Sequence, residues 1–126
     1  MIKGVGVDIV EIDRIDEAIK RNESFVEKAF CDGEFNYMKG KRSMLQHAAG
    51  MFAAKEAVSK ALGTGFRGFF LRDVEVRRED NGKPYVVLHN GARELAESFG
   101  DYTIHLSISH GRDNAVAYAV LEVRQA

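Results

Sequence analysis

The chain has 126 residues, a length that predicts a single domain over residues 1–126. Its 18 Lys and Arg residues balance 19 Asp and Glu residues, and the net charge of -1 argues against bulk nucleic-acid binding. No apolar run approaches the ~20 residues that span a bilayer, so we expect no membrane partner. A single cysteine, Cys31, excludes an intrachain disulfide and fits a cytoplasmic location.

The first segment, residues 2–12, has the pattern of a β-strand. Along residues 4–9, β-branched side chains alternate with Gly4, Gly6 and Asp8, so one face of the strand is apolar. Aspartate is depleted in strands, and its presence on the other face needs a reason. Asp8 is either a surface position or helix cap, or a residue with a chemical role.

The next segment, residues 13–21, predicts a helix with Asp13 as its cap. Arg14 and Arg21 are seven residues apart, so they share one helix face, with Ala18 between them. Spacing alone favours ordinary surface charge at these two positions.

A long central helix is predicted up to residue 62, because good helix formers follow one another from about residue 45 and Gly63 can cap the end. Glu56 falls in the middle of an apolar stripe, and Lys60 lies one turn further on. Two explanations stay open, a solvated ion pair or a partly dry site with a carboxylate for a metal and an ammonium for phosphate. The two apolar stripes are Leu45, Ala49, Phe52 and Ala53, and Met51, Ala54, Val58, Ala61 and Leu62.

The remaining elements complete an α+β fold, in which an antiparallel sheet packs against the long central helix. An apolar loop over residues 65–71 and the apolar last strand predict subunit packing, although the same side chains could fill the chain's own core. We expect short helices over residues 25–30, 34–38 and 92–99, and strands over residues 74–77, 84–88, 105–110 and 115–123.

Four stretches together resemble one family, the bacterial holo-[acyl-carrier-protein] synthases of the 4′-phosphopantetheinyl transferase superfamily. The first two are GVGVDIVEI at residues 4–12 and FAAKEAVSKALGTG at residues 52–65. The others are the turn NGKP at residues 81–84 and the strand end SISH at residues 107–110, which are common patterns when taken alone. The resemblance spans essentially the whole chain.

The resemblance implies transfer of the 4′-phosphopantetheine group of coenzyme A to a serine of apo-acyl carrier protein, for fatty acid biosynthesis, with release of 3′,5′-ADP. It implies Mg²⁺ held by Asp8 and Glu56, with Lys60 at the phosphates, and a homotrimer with active sites between subunits. The serine proton could pass to a metal-bound water oriented by Glu56, or directly to Asp8 or Glu56. The implied coenzyme A contacts are Ser59, Lys60, Gly63, Asn81, Gly82, Lys83, Pro84, Ser109 and His110, and the implied carrier-protein contacts are Arg14, Ala18, Arg21 and Phe25.

Two other functions remain possible at this point. A non-catalytic module could hold a nucleotide or an acidic protein, but it would not need paired carboxylates at a pyrophosphate. A metal-dependent pyrophosphate hydrolase would use the same groups and release phosphopantetheine to water. His110 and the turn at residues 81–84 also have ordinary structural explanations, as a residue at the core edge and as a common hairpin turn.

Overall fold

The computed structural model describes residues 1–124, which form five helices and five strands. Within these residues, no helix combines the length and the apolar character that crossing a membrane requires. A short 3₁₀ turn, Leu71–Asp73, precedes β2. The elements are β1 (Ile2–Glu11), α1 (Ile12–Arg21), α2 (Phe25–Ala29), α3 (Asp32–Met38), α4 (Met44–Leu62), β2 (Val74–Arg78), β3 (Pro84–Leu88), α5 (Asn90–Ser98), β4 (Asp101–His110) and β5 (Asn114–Arg124).

The strands form two antiparallel sheets. Three of them pair in the order β1-β5-β4, and β2 and β3 form a separate hairpin. The register pairs Asp8 with Ala117 and Ala117 with Ile108. Because two strand spacings separate β1 from β4, the two outer strands are roughly 10 Å apart.

Helix α4 is the central element, and it packs against all three strands of the larger sheet. Both predicted apolar stripes are covered, with Ala49 and Ala53 buried on one and Val58 and Leu62 on the other. Gly63 ends the helix in the left-handed conformation, with φ of 90°. The predicted architecture, an antiparallel sheet packed against a long helix, is therefore confirmed.

Strand β1 turns its glycine face, not its apolar face, toward α4. A Cβ atom at Gly6 would lie 1.9 Å from the carbonyl oxygen of Ala57, so only glycine allows the strand to approach the helix this closely. Val5 and Ile9 point the other way and are 53% and 67% exposed. The apolar face predicted from the alternation exists, but it forms the outer surface of the sheet.

Several element boundaries differ from the expectation by one to four residues, and three of them have a clear cause. Helix α1 begins at Ile12, so Asp13 lies in its first turn and not at the cap. Helix α3 begins at Asp32, because the Glu34 side chain accepts a hydrogen bond from the backbone N–H of Cys31 and closes the first turn. Strand β4 begins at Asp101, since its pairing with β5 continues along the full length of both strands.

Candidate active site

Asp8 lies on the face of β1 that meets α4, and its carboxylate is bound to Lys60. The Lys60 ammonium lies 3.1 Å from Asp8 Oδ1 and donates a second hydrogen bond of 3.0 Å to the carbonyl of Val7. The Asp8 side chain is only 20% exposed, whereas that of Lys60 is 52% exposed. The close approach of β1 to α4 therefore brings a strand carboxylate to a helix ammonium 52 residues later in the chain.

Glu56 is half-buried in the middle of α4 and shares its surroundings with Asp8. Burial raises the pKa of the Glu56 carboxyl, the negative charge of Asp8 raises it further, and the Lys60 ammonium opposes the shift. The ordinary explanation for Glu56 and Lys60 was an i,i+4 ion pair between them. The structure shows a different pair, because Lys60 binds Asp8. The structure thus brings together the two carboxylates and the ammonium that the sequence analysis selected.

Both carboxylates line one cleft of about 520 Å³, which we call the Asp8–Glu56 cleft. Helices α1 and α2 supply its other wall, and three of the four proposed carrier-protein contacts, Arg14, Ala18 and Phe25, belong to that wall. Arg14 is exposed, and its guanidinium lies 3.8 Å from the carboxylate of Glu11. Arg21, the fourth proposed contact, is exposed at the end of α1 and is not part of the lining.

Apart from Ser59 and Lys60 within α4, the proposed coenzyme A contacts lie in three places. Gly63 is exposed at the end of α4, and the turn at residues 81–84 lies in the β2–β3 hairpin, with Gly82 at φ of 90°. Ser109 and His110 are exposed at the end of β4, on the far side of β5 from Asp8. Within a single chain, Ser109 and His110 are therefore separated from the Asp8–Glu56 cleft by the width of the sheet.

Ser59 differs from the other proposed coenzyme A contacts because its side chain is buried. It is 1% exposed, and its hydroxyl donates a 2.7 Å hydrogen bond to the carbonyl of Glu56. The hydroxyl is therefore used within α4, and the side chain has almost no surface to offer a ligand.

A basic cluster beside His110 was missed by the sequence analysis. The His47 ring lies between those of His110 and Tyr37, with centroid distances of 6.0 Å and 5.4 Å, and Lys41 and Arg78 both lie over the Tyr37 ring. Among residues 1–124, His47 Nδ1 and Arg78 Nε are buried polar atoms without a hydrogen-bond partner. The adjacent Lys41 and Arg42 were the only signal in the sequence, because the other members come from separate elements.

A second missed feature is a buried ion pair between α3 and α4. The Lys55 ammonium and the Glu34 carboxylate are 2.8 Å apart, and both side chains are 0% exposed. Burial lowers the pKa of Lys55, and the charge of Glu34 opposes that shift. No spacing rule links the two residues, which are 21 positions apart.

The carboxylates of the cleft form a two-residue set. Over the described part of the chain, no three or more His, Cys, Asp or Glu side chains are grouped so that they could hold a metal ion by themselves. A cation at Asp8 and Glu56 would therefore need further oxygen ligands from a substrate or from water.

Comparison with known proteins identifies the family. A profile of the 4′-phosphopantetheinyl transferase superfamily matches residues 4–119. The chain belongs to this superfamily. It is 58% identical over 123 residues to a protein of Clostridium acetobutylicum named holo-[acyl-carrier-protein] synthase, a match that covers 98% of this chain and 99% of the relative. A relative of the same name from Clostridium novyi is 55% identical, with 98% and 89% covered.

Solved structures of relatives share the fold of this chain. A holo-(acyl-carrier-protein) synthase of Bacillus anthracis, in complex with coenzyme A (3′,5′-ADP), has a TM-score of 0.83 and 38% identity, and 98% and 99% of the two chains are covered. The Helicobacter pylori enzyme in complex with coenzyme A has a TM-score of 0.82 and 32% identity, with 94% and 99% covered.

Proposed function

We propose that this chain transfers the 4′-phosphopantetheine group of coenzyme A to a serine of apo-acyl carrier protein and releases 3′,5′-ADP. The relatives at 58% and 55% identity carry the name of this activity, and two structural neighbours were solved with coenzyme A. The observation that carries the proposal is the Asp8–Glu56 cleft, where two carboxylates face a wall with an exposed arginine. We place the reaction in the cytoplasm and in fatty acid biosynthesis, as the sequence analysis leads us to expect.

Mg²⁺ fits the residues of the cleft. Asp8 and Glu56 are close enough for one charge to raise the pKa of the other, and a shared cation would remove this repulsion. Mg²⁺ is commonly held by one or two carboxylates together with phosphate oxygens and waters, so a set of two carboxylates is sufficient when the substrate brings a pyrophosphate. When bound, the ion would neutralise negative charge on that pyrophosphate.

The side chains have separate tasks in the transfer. Glu56 is half-buried in the cleft beside Asp8, and we assign it the proton of the serine hydroxyl, taken directly or through a water that it orients. The serine oxygen then bonds to the phosphorus that carries pantetheine, and the bond from that phosphorus to 3′,5′-ADP breaks with its electron pair leaving on the nucleotide. Lys60, half-exposed and bound to Asp8, can reach the leaving phosphate oxygens and stabilise their charge.

The α1–α2 wall is our candidate for the carrier-protein contact. An acidic partner would meet the exposed Arg14, while Ala18 and Phe25 offer apolar contact beside Glu56. Complementary charge of this kind mainly speeds encounter and fixes orientation. Arg21 lies outside the cleft, so we expect it to contribute less than Arg14.

We assign the nucleotide end of coenzyme A to the His110 region. The exposed Lys83 and the basic cluster of His47, Lys41 and Arg78 suit its phosphate groups, and the two unpartnered polar atoms there support a polar ligand. In one chain this region lies about two strands away from Asp8. A complete site therefore requires the cleft of one subunit and the His110 region of another.

Self-association is the second part of the proposal, and the resemblance sets the number of subunits at three. The outer face of the sheet leaves Val5, Val7 and Ile9 of β1 and Val116 and Tyr118 of β5 exposed side by side. A contiguous apolar patch of this kind is typical of a subunit interface. In the 65–71 loop, Phe69 is only 3% exposed and fills the chain's own core, whereas Phe70 is 77% exposed and is available to such an interface.

The intact mass of apo-acyl carrier protein tests this function. After incubation with the chain, coenzyme A and Mg²⁺, the carrier protein should gain one phosphopantetheinyl group, and omission of coenzyme A or metal should abolish the gain. Free phosphopantetheine without modified carrier protein would instead identify a pyrophosphate hydrolase. Coenzyme A binding with neither product would identify a binding module.

A further inference from the structure

The 65–71 loop is attached to α4 at both of its ends, through residues that precede and follow Glu56 in the sequence. At one end the Gly65 N–H donates a 3.3 Å hydrogen bond to the carbonyl of Ser59. At the other end the carbonyl of Leu71 accepts a 2.9 Å hydrogen bond from the Lys55 ammonium. Lys55 and Ser59 lie about one helical turn apart, so both ends of the loop are attached to the part of α4 that carries Glu56.

The loop and Glu56 line a second pocket of about 500 Å³, which is open to solvent and distinct from the Asp8–Glu56 cleft. Its walls are apolar, and Glu56 is the only charged side chain among its lining residues in the described part of the chain. The loop therefore supplies an apolar wall on one side of the carboxylate to which we assign the proton transfer. The lining residues are Phe66, Gly68, Phe69, Phe70 and Leu71.

The Leu71 end of the loop depends on the buried Lys55–Glu34 pair. The three ammonium hydrogens of Lys55 have three acceptors, the Glu34 carboxylate and the carbonyls of Leu71 and Val74. The Glu34 oxygens in turn accept from the backbone N–H groups of Cys31 and Val76, at 2.9 Å and 2.8 Å. One ion pair thus joins α3, α4, β2 and the end of the loop.

Stability alone does not account for this arrangement. A buried ion pair can often be replaced by apolar side chains of similar volume without loss of stability, because desolvation offsets the attraction between the charges. Directed hydrogen bonds from Lys55 do what apolar packing cannot, since they hold the Leu71 carbonyl at one point relative to the helix turn that carries Glu56.

We propose that Lys55 and Glu34 are positioning residues for the transfer reaction, which fix the Leu71 end of the 65–71 loop and so keep its apolar wall against Glu56. This inference rests on the proposed function. Both side chains are fully buried, so neither touches the substrate, and both act through the loop.

Three variants separate positioning from stability. Lys55→Met removes the tether and leaves Glu34 buried without its partner, so its melting temperature should fall. The double variant Glu34→Gln/Lys55→Met also removes the buried negative charge, and its melting temperature should recover toward that of the wild type. Val123→Ala is the matched control, because it opens the core at the far end of β5 and touches neither the loop nor the cleft.

Two measurements are made on all of these proteins. In the carrier-protein mass assay, Lys55→Met and the double variant should both lose about 10²-fold in kcat, the loss expected when a catalytic group is misplaced by about 1 Å, with little change in KM for coenzyme A. Under native conditions, trypsin should cleave after the exposed Arg67 of the loop faster in both variants than in the wild type or in Val123→Ala.

Each outcome has a defined meaning. Wild-type turnover in the double variant would show that the pair is structural only, and unchanged cleavage after Arg67 would show that it does not hold the loop. Either result overturns the inference and leaves the proposed function intact. An inactive wild-type protein would overturn the proposed function itself, and this inference with it.

Discussion

Replacing Gly6 with alanine should damage both the fold and the reaction, because β1 lies directly against the backbone of α4. The added Cβ would lie 1.9 Å from the carbonyl oxygen of Ala57, while real contacts of this kind are not shorter than 3.0 Å, so the strand must move by about 1.1 Å. The atom it meets is backbone in the middle of a helix, which cannot turn away as a side chain can. Overpacking of this kind costs about 1–3 kcal/mol. For a chain of this length the melting temperature should fall by about 3–6 °C for each kcal/mol.

The same shift should lower activity, because Asp8 follows Gly6 by two residues on the same face of β1. A displacement of about 1 Å at a reacting centre can cost 10²-fold in rate. The measurement is turnover in the mass assay at a temperature where both proteins are folded, together with thermal unfolding. Gly111→Ala is the control, since a Cβ at Gly111 meets nothing within 4 Å. If Gly6→Ala kept the stability and turnover of Gly111→Ala, the close packing of β1 on α4 would be wrong.

Three further predictions concern the partner face, the outer face of the sheet and the basic cluster. Arg14→Glu should raise KM for the carrier protein far more than KM for coenzyme A, and this effect should shrink as the salt concentration rises. Arg21→Glu should have a weaker effect. Equal losses for both substrates would mean that Arg14 is not at the protein contact. Val7→Lys places a charge in the exposed apolar face, so light scattering should report a smaller assembly, and the mass assay should show little turnover. An unchanged molar mass of the assembly would exclude this face as the interface. Burial, helped by the positive charges of Arg78, Lys41 and His110, lowers the pKa of His47, so the unfolded chain binds this proton at higher pH than the folded one. The free energy of unfolding should therefore decrease as pH falls through 6.5 toward the lower folded-state pKa, and urea titrations at pH 7.5 and 5.5 should show a smaller decrease for His47→Gln.

The architecture was predictable because local signals and the resemblance agreed. Helix formers without interruption, followed by Gly63, predicted α4 and its end, and alternation predicted the faces of β1. Alternation tells which residues share a face, but it does not tell which face the helix covers. Gly4 and Gly6 indicate the covered face, since two glycines on one face of the strand let α4 approach more closely than larger residues would allow.

The chemistry of the site was predictable only in part. Asp8 and Glu56 each looked out of place, one in a strand and one on an apolar stripe, and the fold brings both into one cleft. The Lys55–Glu34 pair had no such signal, because a charged residue inside a helix usually lies on its exposed face and only tertiary packing decides otherwise. Ser59 shows the opposite case, a motif residue whose hydroxyl is used within the helix.

The central claim is that Asp8 and Glu56 act together on one reacting group, and the most direct test is turnover of Asp8→Ala, Glu56→Ala and the double variant across a Mg²⁺ titration. Because each carboxylate is insufficient alone, either single variant should lose at least about 10²-fold in turnover at saturating Mg²⁺. The double variant should be little worse than either one, since residues that act as a unit give losses that do not add. Glu94→Ala, which removes an exposed carboxylate on α5, is the control for loss of charge alone. Near-normal turnover by either single variant, or losses that add in the double variant, would contradict the account.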